Sequence, residues 1–163
     1  MVNASGLGAA HLANDTQAIP VRGQTMFAET SFNELVMYQG SHYSYAIPRM
    51  GSGGVILGGI SQEGNTDKRV DKALRGDILN RVRGITKGAL DGVDLERDVK
   101  KDLVGFRPAR KGGFRLEVDG DVVHAYGFGG LGYTYGFGAA KRVREMVESL
   151  SVGQGKTKRA SHL

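Results

Sequence analysis

The chain has 163 residues, a net charge of +5, 40% hydrophobic residues and no cysteine. That length supports one domain with a real core, and the missing cysteine excludes disulfides, Cys-ligated zinc and thiol nucleophiles. No run of about eighteen apolar residues occurs, so the sequence predicts no membrane span. The start, MVNASGLGAA, lacks a basic stretch followed by an apolar one, so no signal peptide is expected. His11, His42, His124 and His162 show no metal-ligand spacing. RPARKGGFR has a basic, RGG-like composition, and a basic RNA-binding domain is one reading of it. The basic residues are otherwise spread along the chain with little aromatic interleaving, so a solvated surface accounts for the charge and no nucleic-acid partner is expected.

In chain order, Val2–Ala10 is small and glycine-rich. SGLGAA (Ser5–Ala10) has two glycines in G-x-G spacing, but His11 stands where a third is needed. Too few residues precede Ser5 for a full strand, and no acid ends a following strand about twenty residues on, so this is not a dinucleotide fingerprint. TMFAET (Thr25–Thr30), SYAIPR (Ser44–Arg49) and GVILGGIS (Gly54–Ser61) read as strands, with GSGG as a hairpin loop between the last two. From Asp67 the period changes. Val70, Ala73, Leu74, Ile78, Leu79, Val82 and Ile85 mark an amphipathic helix ending near Gly84 or Gly88. RLEV, GD and VVHAY (Arg115–Tyr126) read as strand, tight turn and strand. After a glycine run, Ala139, Ala140, Val143, Met146, Val147 and Leu150 form one helical stripe. The polar tail GQGKTKRASHL is expected to be flexible. The fold class is α+β: an antiparallel sheet with helices and no β-α-β unit of its own.

Three stretches could carry chemistry. YGFGGLGYTYGFG (Tyr126–Gly138) places bare backbone between a strand and a helix. A helix N-terminus offers unpaired N–H groups and the positive end of a dipole, and glycines let a ligand reach the main chain. A hinge or a close helix–sheet contact would use the same glycines. GFRPAR (Gly105–Arg110) sets Arg107 before Pro108, which disfavours helix there. An extended arginine suits bidentate capture of a carboxylate, and a surface arginine beside a turn is the plainer reading. In HYSYAIPR, Tyr43 and Tyr45 share a strand face and are either core residues or pocket hydroxyls.

Together SYAIPR, GGVILGGISQEGNTD, GFRPARKGGFRLE, VVHAYGFGGLGYTYGFGAA and the terminal SHL, in that order, resemble the C-terminal half of the D-amino-acid oxidase family, which includes D-aspartate oxidase. The resemblance implies a substrate domain with a mixed, largely antiparallel sheet and helices, plus the last strand and helix of a Rossmann-type FAD domain. Residues 1–24 would be a segment returning from the FAD domain, 25–120 the substrate-binding and interface domain, 121–150 the closing strand and helix, and 151–163 a tail. It implies FAD as cofactor, a D-amino acid and dioxygen as substrates, and a homodimer in the complete form. It also implies roles. Arg107 would hold the substrate carboxylate and Tyr45 would donate its hydroxyl to it. The Gly130 carbonyl would accept from the substrate amine. A second active-site tyrosine would be Tyr43, with Tyr38 the alternative. Ser5 and the backbone of Gly129, Gly130, Leu131, Gly132, Tyr133 and Thr134 would contact FAD, with no metal. The reaction would be oxidative deamination to a 2-oxo acid, ammonia and hydrogen peroxide, in which the protein binds and orients. Arg49 and the SHY loop lie near the expected pocket and would bias side-chain preference.

The sequence departs from the family in lacking G-x-G-x-x-G and an acid for the adenosine ribose. The expectation is therefore a truncated form whose isolated chain is inactive. The alternatives are a catalytically inactive fragment or partial gene product, and an enzyme with D-aspartate oxidase-like specificity.

Ser161, His162 and Leu163 have the small–basic–leucine form of the peroxisomal S-K-L address, which implies an import receptor as partner and a peroxisomal location. An oxidase that releases peroxide is usefully confined beside catalase. Fused to a fluorescent protein, Val152–Leu163 should give puncta that coincide with a peroxisomal marker. Diffuse signal identical to a Leu163-deleted control would contradict the address.

Overall fold

The computed structural model describes residues 1–40 and 42–160, with 152–160 as backbone only. The tripeptide Ser161–His162–Leu163 lies outside the described residues. In chain order the elements are β1 (Val2–Asn3), α1 (Ala9–Leu12), β2 (Ala18–Glu29), β3 (Val36–Gln39), β4 (Tyr43–Arg49), β5 (Gly54–Gly58), β6 (Gln62–Glu63), α2 (Ala73–Ile85), β7 (Val99–Arg110), β8 (Arg115–Asp119), β9 (Val122–Tyr126) and α3 (Gly132–Ala160). They divide into two compact units, Met1–Pro20 with Arg107–Leu163, and Val21–Phe106. The chain passes between the units within β2 and β7.

The Val21–Phe106 unit is built on a sheet of order β3-β4-β5-β2-β6, with β7 also paired to β2. The pairs β2–β5, β2–β6, β3–β4 and β4–β5 are antiparallel. Alternation works as the sequence suggests: Met26 and Ala28 on β2 and Val55 and Leu57 on β5 face one core. The stripe of α2, Ile78, Leu79 and Val82, closes that core together with Leu90 and Val93. Each fully buried aliphatic side chain there contributes about 1.5–3 kcal/mol of transfer free energy.

Helix α2 begins at Ala73, later than the apolar period from Asp67 suggests. The reason is a competing set of hydrogen bonds. The buried Arg22 donates to the carbonyls of Asp67 (2.8 Å) and Arg69 (2.6 Å), and Gln24 donates to that of Asp71 (2.7 Å). Carbonyls captured by side chains of β2 are turned away from a helical ladder. The Asp71 carboxylate then accepts the Ala73 amide at 2.9 Å, where the helix starts.

Strands β3 and β7 have no clear sequence signal. β7 reads VKKDLVGFRPAR, in which lysines, a glycine and a proline depress strand propensity and its faces do not alternate cleanly.

The other unit holds a sheet of order β1-β9-β8. β8 and β9 form the expected hairpin, and Gly120 at φ +56° takes the turn. β1 runs parallel to β9, with Val2 beside Val123 and Asn3 beside His124. Among the described residues, Ala9, Val123, Tyr126 and Met146 are its buried residues of apolar type. Met146 comes from the predicted stripe of α3, whose Ala140 and Val147 are instead exposed. Helix α3 starts at Gly132, inside the glycine run rather than after it, behind a single 3₁₀ turn at Gly129–Leu131. Its helical backbone continues to Ala160, through most of the polar stretch expected as a tail.

Candidate functional site

The end of β7 lies step by step along the glycine run. Ala109 forms a β-bridge with Phe128. Gly127, at φ +84°, sits so close to Arg110 that a Cβ there would stand 2.7 Å from the arginine Cβ. Only glycine satisfies both that conformation and that approach. A Cβ on Gly129 would meet Ala109 Cβ at 3.7 Å, and one on Gly130 would meet Arg107 Cδ at 3.4 Å and Nε at 3.6 Å. The Arg107 side chain therefore crosses Gly130, and the two residues expected to grip a substrate are brought together. Arg107 is half-buried on the extended backbone that Pro108 favours.

Beside this contact is a cavity of about 640 Å³, lined by Pro108, Gly129, Gly130, Gly132, Gly136 and Ala140 among others. Gly132, Gly136 and Ala140 recur every four residues and so lie on one face of α3. A helical glycine costs about 1 kcal/mol relative to alanine. For Gly136, inside the helix, no packing offsets that cost, and at both Gly132 and Gly136 nothing among the described residues lies within 4 Å of where a Cβ would be. Tyr133 is 102% and Phe137 93% exposed, and both also line the cavity. Leu131 and Thr134 are exposed as well. The first N–H groups of α3 have no partner within the helix and stand at its positive end. Bare backbone, apolar side chains and an anion-favouring helix terminus thus converge on one surface, which suits a flat aromatic group with an electronegative edge.

Ser5 is exposed, its Oγ donating to Asn3 Oδ1 at 2.7 Å, and Asn3 in turn meets the buried His124 Nδ1 at 3.2 Å. The adjoining Gly6, at φ +59°, passes against Pro108, whose Cβ would be 3.3 Å from a Cβ on Gly6. SGLGAA leads into a four-residue helix, α1.

Tyr43 and Tyr45 belong to the Val21–Phe106 unit. They share one face of β4, their rings 5.1 Å apart and tilted by 58°. The buried Tyr45 ring covers Gly58 and Gly59, where any Cβ would collide with it. Arg81 fixes the start of β4 by donating to the Tyr43 carbonyl at 2.9 Å and the Gly59 carbonyl at 3.2 Å. Tyr38, on β3 opposite Ser44, is exposed.

A buried cluster has no counterpart in the sequence reading. Asp15 accepts from Arg110 Nε at 2.8 Å, from the Tyr126 hydroxyl at 2.7 Å and from the Gln17 amide at 2.9 Å. The hydrogen bond from Arg110, followed by that from Tyr126, holds its carboxyl down at about 2 against the ordinary 3.8, so it is charged at neutral pH. Burial pushes the Tyr126 hydroxyl up. The partners are 95 and 111 residues from Asp15, and no local pattern links them. Among the described residues no three His, Cys, Asp or Glu side chains gather as a metal site, and no helix is long and apolar enough to cross a membrane.

This arrangement belongs to an FAD-dependent oxidoreductase, as comparison with known proteins shows. Residues 1–146 match the model of the DAO family, FAD dependent oxidoreductase, and the chain belongs to that family. It is 36% identical over 149 residues to the D-amino-acid oxidase of Schizosaccharomyces pombe, covering 85% of this chain and 43% of that protein. It is 33% identical over 162 residues to the D-aspartate oxidase of Homo sapiens, covering 92% of this chain and 45% of that protein. Among solved structures, a glycine oxidase from Bacillus cereus superimposes with a TM-score of 0.75 at 16% identity, over 91% of this chain and 42% of that one. The α+β fold, with a strand and helix of Rossmann type, is thereby established. The chain spans less than half the length of these relatives.

FAD, the cofactor of the family, fits the residues present, because the open glycine face of α3 offers the close backbone approach that a flavin requires. Gly132→Leu tests the fit with two readouts. The unfolding midpoint of the flavin-free protein should stay level, since a Cβ at this position has no described atom within 4 Å and Gly132 is the first residue of α3, where glycine costs the helix little. FAD affinity should fall at least tenfold. Unchanged FAD affinity would show that this face does not meet the cofactor.

Proposed function

We propose that the protein, in its full-length form, catalyses FAD-dependent oxidative deamination of D-amino acids to 2-oxo acids, ammonia and hydrogen peroxide. The observation that supports this most is the crossing of Arg107 over Gly130 beside the cavity at the start of α3. An arginine fork recognises a carboxylate in two parallel hydrogen bonds. The Gly130 carbonyl accepts from the substrate amine. Two fixed points and the Cα–H direction define which enantiomer presents its hydrogen productively, so the same pair sets selectivity for D over L. Tyr45 assists binding as a hydroxyl donor.

Bound FAD supplies the two-electron acceptor for the substrate, with dioxygen as its reoxidant. The chain's own residues bind, orient and exclude water. Gly129, Gly130, Leu131, Gly132, Tyr133 and Thr134 hold the flavin along their backbone, and Ser5 contacts the cofactor from the β1 turn. The imino acid product hydrolyses in water to the 2-oxo acid and ammonia. No general acid or base is needed, which agrees with a grip made of an arginine and backbone.

The similarity to a D-aspartate oxidase supports a second reading, in which acidic D-amino acids are preferred. We further propose that the enzyme works in the peroxisome, delivered through Ser161–His162–Leu163.

Arg107→Ala tests the central assignment. Titrated with benzoate and followed by the flavin spectrum, the variant should lose about 1.5–3 kcal/mol of binding free energy, the range for a hydrogen bond to a charged group. Benzoate affinity equal to that of the parent protein would remove Arg107 from the site.

A further inference from the structure

Asp15 sits where the arginine-bearing strand meets the glycine run. Its Oδ2 alone accepts both Arg110 Nε and the Tyr126 hydroxyl. Arg110 is the last residue of β7 and Tyr126 the last of β9. From that joint the two segments run together through the Ala109–Phe128 bridge to the crossing of Arg107 over Gly130. One carboxylate oxygen therefore ties the two lines of backbone at one end, and the substrate-gripping pair stands at the other.

The carboxylate is itself held fast. Its second oxygen accepts the Gln17 amide. The Asp15 amide donates to the Ala9 carbonyl at 3.4 Å, and its carbonyl accepts the Ala18 amide at 3.1 Å. Arg115 donates to the Tyr126 hydroxyl at 3.2 Å, which leaves that hydroxyl's own proton for Asp15. Arg110 Nη1 reaches the Lys111 and Gly113 carbonyls at 3.4 and 3.3 Å. The side chain of Asp15 is 6% exposed, so water offers no ready substitute for these bonds. A buried charge stripped of its partners costs more than the bonds it makes, so the joint has one stable arrangement.

We propose that Asp15 is a positioning residue that sets the register of Arg107 on Gly130, and through it the spacing between the carboxylate-holding and amine-holding groups. This rests on the reading of Arg107 and Gly130 as a substrate grip. Asp15 touches neither substrate nor cofactor. Its effect is felt where both points must be met at once, because a displacement of about 1 Å can cost roughly a hundredfold in rate. A ligand with a carboxylate alone can follow Arg107 as it shifts. A ligand that carries an amine as well cannot.

The test uses the full-length enzyme loaded with FAD and two ligands, benzoate and 2-aminobenzoate, each titrated by the flavin spectrum, together with the FAD dissociation constant. In Asp15→Asn the Gln17 bond can persist, but the charge and the doubly accepting oxygen are lost. The ratio of the two ligand dissociation constants should change at least tenfold against 2-aminobenzoate, with benzoate and FAD affinities each within about threefold of the parent. Tyr126→Phe opens the same joint from its other side with less disturbance. It should move the ratio in the same direction, and it serves as the reporter should Asp15→Asn fail to fold. Equal weakening of both ligands and FAD would show general structural loss, and no change in the ratio would show that the register is set elsewhere; either overturns the proposal. If the parent protein shows no spectral response to benzoate, the substrate-grip reading fails and the positioning role falls with it.

Discussion

The close approach of β7 to a backbone without side chains is the contact on which the site depends. An arginine can stand beside a ligand-sized cavity only if something rigid supports the strand that carries it. Here the support is the glycine run itself. Gly127 permits the approach of Arg110 within a distance no Cβ could tolerate, and Ala109 bonds to Phe128 just beyond. Arg107 then falls across Gly130, where the chain turns into α3. The glycines thus do two separate things. Those before α3 let protein backbone come close, and those within α3 leave a face that nothing among the described residues fills.

That division separates two kinds of glycine. A hinge would explain positive φ angles such as those of Gly127 and Gly129. It does not explain Gly132 and Gly136, which adopt helical geometry any residue could take and have empty space around them. Glycine in an open helical position weakens the helix by about 1 kcal/mol. Such a position is retained to advantage where another group packs against the main chain. Membership of an FAD-dependent family supplies a group of the right shape.

Much of the Val21–Phe106 unit was legible in the sequence because its apolar strand segments are bounded by turn residues and its helix has a strong period. Met26, Val55, Leu57, Ile78 and Val82 form the core that their spacing suggests. The start of α2 was not legible, because it is decided by Arg22 and Gln24 reaching across from β2. β7 was hidden by lysines, a glycine and a proline, yet the local effect of Pro108 on Arg107 did point to extended backbone there. Arg107 and the glycine run were singled out by motif and are adjacent in space. Tyr43 and Tyr45 share a face as a period of two requires. Asp15 could not be found this way. It is one acid in a small-residue segment, and its importance arises from partners that only the tertiary fold assembles.

The most direct measurement of the proposed activity is flavin reduction in the absence of oxygen. The full-length enzyme, loaded with FAD, is mixed rapidly with D-alanine, D-aspartate or their L enantiomers while the visible flavin band is followed. The account predicts bleaching by at least one D-amino acid and by neither L form, with peroxide appearing once oxygen is admitted. Bleaching that does not distinguish the enantiomers, or none with any of the four, would contradict it.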